Sequence, residues 1–389
     1  MKHWHLRALV LVCVLGGVGC GGGSGSGSAP SEPVEPVQPQ PVKLALLTGK
    51  TAVDFDHCRS VDGTTEAAQY SRLLRATVYK DAVYLVESGE RCTNVTYEPP
   101  VFIPKGVQPA IRKLSDGKVE TALHLHSYIS MMSHPVMVRY PSGVHRAPGN
   151  GALMVSGYAA AFSDHDFRLD ETEVARYSEL GGWGYYTPGL FRFNARHADY
   201  EDLIAGRPGQ PPERVDGSGQ DAGFHAPHDL EVDASGTYYL IDQGLIRTVD
   251  AQATVRTLDS AALGITGSIR SLDADHKGQI HVLAQRGTAS YTWHRLADGR
   301  KVEFSIPRPV MLESPAAVTF TVVGDALVFS ERPMNGDSAW LYRVSAAGET
   351  KPLAADAMPL PQVQHLEYGV DGNLYVVLPQ GVLVARDFQ

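Results

Sequence analysis

Three histidines raise the question of chemistry first. His134, His228 and His365 each precede or open a short apolar segment, in well-separated parts of a 389-residue chain. Neutral imidazoles brought together from separate elements could hold a divalent metal, zinc or calcium, with a coordination position left open for a substrate. His225 and His228 lie three apart, and His124 and His126 alternate so as to share one strand face. No H-E-x-x-H spacing accompanies them, and a loop histidine without a ligand role is the commoner case. The register expected of their strands also sets His365 level with Asp229 rather than with His228. Carboxylates form a second group. Glu87, Asp242 and Glu331 end three similar runs, opposite Arg112, Arg247 and Arg343. A lone carboxylate could be an acid or a base, but threefold recurrence argues for a structural ion pair or hydrogen bond within each unit. Gly217, Gly219 and Gly223 neither follow a Rossmann strand nor open a helix, so a phosphate loop is dismissed. Serines are scattered without a nucleophile elbow.

Aromatic and sulfur chemistry fall elsewhere. Tyr177, Trp183, Tyr185 and Tyr186 cluster among glycines, a composition suited to a binding surface for a protein, peptide or glycan. Lys2 and Arg7 precede an apolar run from Ala8 to Val18, too short to span a bilayer and read as the core of a signal peptide over residues 1–19. Gly17-Val18-Gly19-Cys20 resembles a bacterial lipobox, with Cys20 as the lipidated residue, although Gly17 stands where Leu is usual. Residues 20–42 are Gly/Ser-rich and then Pro-rich, a flexible and then stiff tether. Gly21 rather than Asp follows the cysteine, which by resemblance to Gram-negative lipoproteins favours the outer membrane, facing the periplasm or the cell surface. Cys58 and Cys92 remain after export and are expected to pair in an oxidising compartment. Removing Lys2 and Arg7 takes the formal charge from −9 to −11. Such an acidic chain lacks the clustered basic residues that nucleic acid demands.

The elements that would position these groups repeat. AVYLVE (82–87), ALMVSG (152–157), TYYLID (237–242), QIHVLA (279–284), ALVFSE (326–331) and NLYVVL (373–378) are alike in length and in their content of Val, Leu, Ile and Tyr. Turn residues precede them, such as Asp81, Asn150-Gly151 and Asp371-Gly372. Before each turn lies another apolar segment, for example LEVD (230–233) or LEYG (366–369). A third strand carrying Arg112, Arg192, Arg247, Arg295, Arg343 or Arg386 follows each motif. A fourth strand follows in five units, as in KVETAL (118–123), YEDLIA (200–205) and TVRTL (254–258).

Four short strands per unit make a propeller blade. The sixth unit ends after three strands, and KLALLTG (43–49) matches the fourth-strand phrase EDLIAG (201–206). Residues 43–389 are therefore predicted to be an all-β, six-bladed β-propeller whose N-terminal strand completes the last blade. If strands run from inner to outer, the long insertions 88–109 and 158–188 emerge on one face. Cys58 and Cys92 reach that face too, both in the first blade.

The connector LIAG…DGSGQDAGFHAPHDLEVDASGTYYLID (203–242) resembles the phrase of the NHL-repeat propellers, and LLTG…DGTTEAAQY (46–70) is a looser copy. The resemblance implies fold more than function, because propellers host binders and enzymes alike. Two readings follow. One is a binding scaffold tethered to the envelope membrane. The other is a metal-assisted lyase or lactonase at the mouth of the central channel, as the resemblance to NHL-like lyases implies.

Overall fold

The computed structural model describes residues 42–52, 60–88, 109–129, 135–146, 152–161, 186–193, 200–207, 210, 212–306, 315–333, 338–353 and 360–389. Their strands form six small sheets, and among the described residues the helical content is one 3-10 turn, Gly219–Asp221. The recurring motif is the second strand throughout: Ala82–Glu87, Leu153–Ala161, Tyr238–Asp242, Ile280–Gln285, Ala326–Pro333 and Leu374–Leu378. Each pairs with an inner strand: Leu73–Tyr79, Pro135–Arg146, Pro227–Val232, Ser268–Ala274, Pro315–Val323 and His365–Tyr368, in blades 1 to 6. The inner strands pack against one another in a ring around the axis.

The second strands carry apolar residues at successive positions because each sheet is covered on both faces. Tyr84 and Val86 of blade 1 pack with Val144, Leu153, Val155 and Phe191 of blade 2. Val83 and Leu85, pointing the opposite way, pack with Tyr375, Val377, Val382 and Val384 of blade 6. Six apolar clusters fill the molecule, one between each consecutive pair of blades. The core is thus a ring of six wedges.

The last wedge is closed as the sequence predicts. Ala45–Gly49 pairs antiparallel with Gly381–Ala385 and is the outer strand of blade 6. Gly49 has φ +74, and a Cβ there would lie 2.3 Å from the Gln380 carbonyl oxygen. Only glycine fits where the two ends meet.

Blades 1 and 3 carry an added short strand outside the fourth: Gly63–Thr64 pairs with Lys118–His124, and Gly217–Ser218 with Thr254–Thr257. In blade 2, His126–Ile129 pairs antiparallel with the inner strand and parallel with Tyr200–Ala205. His124 and His126, expected on one strand, consequently end one strand and open the next, with Leu125 between them. Among the described residues no helix is long and apolar enough to cross a membrane.

Candidate functional site

In blades 1, 3, 4, 5 and 6 the inner strand is the edge of its sheet, so backbone N–H groups along it need partners outside the sheet. Side chains of the preceding blade provide them. Asp229 Oδ2 accepts the Leu272 amide at 3.0 Å. Asp273 Oδ2 accepts the Val322 amide at 2.8 Å. Thr319 and Thr321 hydroxyls accept the Leu366 and Tyr368 amides at 3.2 and 3.0 Å. His365 Nδ1 faces the Ala76 amide at 3.4 Å, and Glu367 Oε1 accepts the Val78 amide at 3.0 Å. The acceptors sit two residues apart along each strand, which keeps them on one face.

Arg75 completes this belt. Its guanidinium donates to Asp229 and to Glu231, binding blade 1 to blade 3. Blade 2 joins through Ser142, whose hydroxyl donates to the Pro227 carbonyl at 2.5 Å. Asp229 adopts a left-handed backbone at φ 54 beside an irregularity in strand pairing between His228 and Glu231. Comparable irregularities at Leu73/Arg75 and Ile269/Ser271 mark the same end of the channel in blades 1 and 4.

Burial sets the ionisation of this cluster. It opposes the charge on Asp229, but the neighbouring Arg75 and His228, with hydrogen bonds from Ser271 and the Leu272 amide, hold its carboxyl below the usual range. One guanidinium serves two carboxylates, and Glu231 is the one raised: burial, with the Asp229 charge beside it, outweighs Arg75 and takes it to about 7. Burial and the nearby Glu231 raise Glu367 to about 8. Asp273 is raised well above the ordinary value by burial and then by Glu231 and Glu367. Burial and Arg75 keep His365 neutral, well below the ordinary histidine range. The channel therefore holds carboxyls able to exchange protons near neutrality beside a neutral imidazole.

The signal for these residues was present. Leu230-Glu231, Leu272-Asp273 and Leu366-Glu367 place a leucine followed by an acid at the same point of three blades. An acid recurring inside an otherwise apolar strand marks a buried, partnered group.

The recurring acid–arginine pair is real in two blades and absent from the third. In blade 1 the fully buried Arg112 donates to Glu87 at 2.7 Å and to Asp62 at 2.7 Å, and lies over the Tyr70 ring. In blade 3 Arg247 donates to Asp242 at 3.0 Å and Asp216 at 3.1 Å, over Phe224. Asp62 and Asp216 are the acids of the two D-G phrases, and both phrases fold alike, with matching bridges Val61–Gln69 and Val215–Gly223. In blade 5 the expectation fails. Phe329 pairs with Tyr342 where Leu85 pairs with Arg112, so Arg343 is one residue out of step and faces the other way. Glu331 instead accepts the Tyr291 hydroxyl of blade 4 at 2.6 Å, and Arg343 donates to the Gln389 carbonyl.

His228 is half-buried and pairs with Ile241, whereas His365 is buried in the belt. Among the described residues no three His, Cys, Asp or Glu side chains are arranged to hold a metal. Cys20, Cys58, Cys92, His134, Tyr177, Trp183 and Tyr185 lie outside the described residues, and Tyr186 opens the strand Tyr186–Phe193 with its side chain likewise outside. The chain leaves blade 1 at Glu87 and returns at Ala110, and leaves blade 2 at Ala161 and returns at Tyr186. Both are joints between second and third strands, at the end of the blades where Arg75, Asp229 and His365 lie.

No family model matches the chain, and no curated protein sequence matches it. Among solved structures, a gluconolactonase from Xanthomonas campestris is similar at 12% identity, over 85% of this chain and 99% of that one, with TM-score 0.43. The virginiamycin B lyase of Staphylococcus aureus is 12% identical over 79% of this chain and 77% of that one, with TM-score 0.40. The extracellular domain of a one-component-system protein from B. thetaiotaomicron is 11% identical over 81% of this chain, with TM-score 0.43, and this chain spans 33% of its length. At such identities the likeness concerns architecture.

Proposed function

We propose that this protein is an NHL-like propeller that works as a binding module, exported by residues 1–19, lipidated at Cys20 and held off the outer membrane by the tether 20–42. Its ligand face is the one on which the chain leaves blade 1 between Glu87 and Ala110 and blade 2 between Ala161 and Tyr186. The second departure is shorter than 158–188 because both strands extend further. Tyr177, Trp183, Tyr185 and Tyr186 are the contacts there for a protein, peptide or glycan. One observation carries this reading. Arg75, Asp229, Glu231, Asp273 and Glu367 of the channel are engaged in bonds between blades, from Arg75 with Asp229 and Glu231 to Glu367 with the Val78 amide. A channel used as a brace leaves recognition to the outer face. The two D-G phrases that fold alike support the NHL likeness.

The test probes residues 43–389 against glycan and peptide arrays, beside a variant carrying Trp183→Ala, Tyr185→Ala and Tyr186→Ala. Binding lost in the variant supports the outer face. Binding that survives there but disappears in His365→Ala transfers the site to the channel. Anchoring is tested separately: Cys20→Ser should lose palmitate incorporation and membrane partition, and retention of both refutes the anchor.

The buried proton-exchanging groups and the left-handed Asp229 favour a second reading, a lyase or lactonase acting at the channel mouth. The described carboxylates do not form a metal set, so no step is routed through an ion. Stoichiometric zinc or calcium in tag-free protein would favour this reading over the first.

A further inference from the structure

In blades 3, 4 and 6 an acid fastens the hairpin between the first and second strands. Asp233, Asp275 and Asp371 each accept backbone amides of their own turn, from Ser235 and Thr237, from Lys277 and Gln279, and from Asn373. The other carboxylate oxygen takes a side chain of the second strand. In blades 3 and 6 this is a tyrosine hydroxyl, Tyr239 on Asp233 at 3.3 Å and Tyr375 on Asp371 at 2.5 Å. In blade 4 it is His281 Nε2 on Asp275 at 3.4 Å. The three positions are equivalent, since each pairs with the acid of its inner strand, Glu231, Glu367 or Asp273. A tyrosine keeps its proton at any pH below about 10, whereas an imidazole gains one in mild acid.

The imidazole also has a second partner. The Trp293 indole N–H donates to His281 Nδ1 at 2.9 Å, and both rings are buried. An indole N–H only donates, so Nδ1 carries no proton and the ring hydrogen lies on Nε2, toward Asp275. A protonated imidazole has no acceptor left. Its Nδ1–H would face the indole N–H, while its Nε2–H would make a charged bond to Asp275. Trp293 belongs to the apolar cluster that joins Val302 and Phe304 of blade 4 to Phe320, Val322 and Leu327 of blade 5. A cavity of about 20 Å³, the size of one water, lies against both rings.

We propose that His281 is an acid-released latch: neutral, it ties Trp293 into the wedge between blades 4 and 5, and on protonation it lets go of the indole, turns to Asp275 and loosens that wedge. The charged groups around the ring are Asp275 on its own turn, Asp273 level with it on the inner strand, and Arg295, Asp298 and Arg300 on the hairpin of the third and fourth strands. Blade 5 adds Asp325 from its first hairpin. Asp273 is turned to the Val322 amide, Arg295 is paired with Asp298, and His276 and Lys277 are exposed at the turn. Burial is the largest influence and lowers the imidazole below the ordinary histidine value, with Arg295 acting the same way and Asp275 and Asp298 opposing. A group that binds its proton less tightly folded than unfolded contributes fully above the ordinary value of about 6.5. That contribution is lost as pH falls from there through the lower folded value. The latch lies outside the proposed ligand face and holds whatever that face binds.

The test follows the indole N–H resonances of the full-length protein, labelled with 15N-tryptophan, between about pH 4.5 and pH 8. The Trp293 resonance is the one missing from Trp293→Phe. It should move in a single step, with a midpoint below about pH 6.5, as its hydrogen bond is lost. In His281→Gln, which keeps an acceptor for the indole and a donor for Asp275, it should stay put. His281→Tyr, which installs the residue of blades 3 and 6, should abolish the step as well. Thermal unfolding supplies the second readout: as pH falls, the wild type should lose Tm relative to His281→Gln, with slopes that differ by about one proton. A Trp293 resonance independent of pH in the wild type, a step that survives in either variant, or equal Tm slopes would overturn the proposal.

Discussion

Blades 1 and 3 lock their edges with charge, whereas blades 4 and 5 lock theirs with rings. In the first pair a buried arginine joins an acid of the second strand to an acid of the incoming D-G phrase. In the second pair, Tyr291, Phe304, Phe329 and Tyr342 pack at centroid separations of 4.9 to 6.3 Å. Tyr342 stands in the arginine's place, and the acid left over, Glu331, is capped by Tyr291. The fold asks only that the wedge be closed. The repeat phrase is clear in blades 1 and 3 because the charged latch needs particular residues, and faint in blades 4 and 5 because many apolar sets fill a wedge.

The largest expected effect tests the latch. Arg247→Ala leaves Asp242 buried without its cation and should cost about 3–5 kcal/mol in denaturant unfolding. Replacing both partners, Asp242→Leu with Arg247→Met, should recover part of that loss by removing the buried unpaired charge. The rest stays lost, because the His225 and Ala226 amides that Asp242 accepts, and Asp216, lose a partner. If the double variant is as unstable as the single, the latch is not a pair and the contrast with blades 4 and 5 collapses. Phe329→Leu should cost about 1 kcal/mol and leave the fold intact, because a ring cluster tolerates repacking. A loss as large as that of Arg247→Ala would show the aromatic wedge to be no more forgiving.

Smaller effects sharpen the same contrast. Partial burial opposes the charge on Asp216, but hydrogen bonds from the Thr257 amide and hydroxyl, with Arg247 beside it, hold its carboxyl below the usual range. Its contribution is therefore present above about pH 4 and is lost as pH falls through its lower folded value. Hydrogen exchange in acid should speed up at Thr257 before it does at Phe329. Asp216 is half exposed, and Asp216→Asn should cost about 1 kcal/mol or less at neutral pH. Glu331→Gln, which keeps an acceptor for Tyr291, should change stability least of all.

The second strands, the blade number and the closing strand were legible because each rests on a short apolar run bounded by turn residues, signals that act locally. AVYLVE and YEDLIA coincide with the observed strands Ala82–Glu87 and Tyr200–Ala205. The blade 5 pairing was misread because matching Arg343 to Arg112 and Arg247 ignores one residue of register, and one residue turns a strand side chain to the other face. The channel belt was overlooked for a different reason. Its bonds run between blades, so no single repeat displays both partners, and only the recurrence of Leu-Glu, Leu-Asp and Leu-Glu hints at it.

Ring closure also sets an order of events. The strand Ala45–Gly49 emerges early from the ribosome, but its partner Gly381–Ala385 is made about 330 residues later. At about 5–20 residues per second the first strand waits tens of seconds for the last. Until then blade 6 has no outer strand and its wedges with blades 5 and 1 stay open. Pairing Ala45–Gly49 with Gly381–Ala385 is the most non-local strand pairing among the described residues, the kind that folds slowest. In refolding, protection of the Leu46 and Thr48 amides should therefore appear after that of Leu240 and Val249, whose strands pair across a short turn.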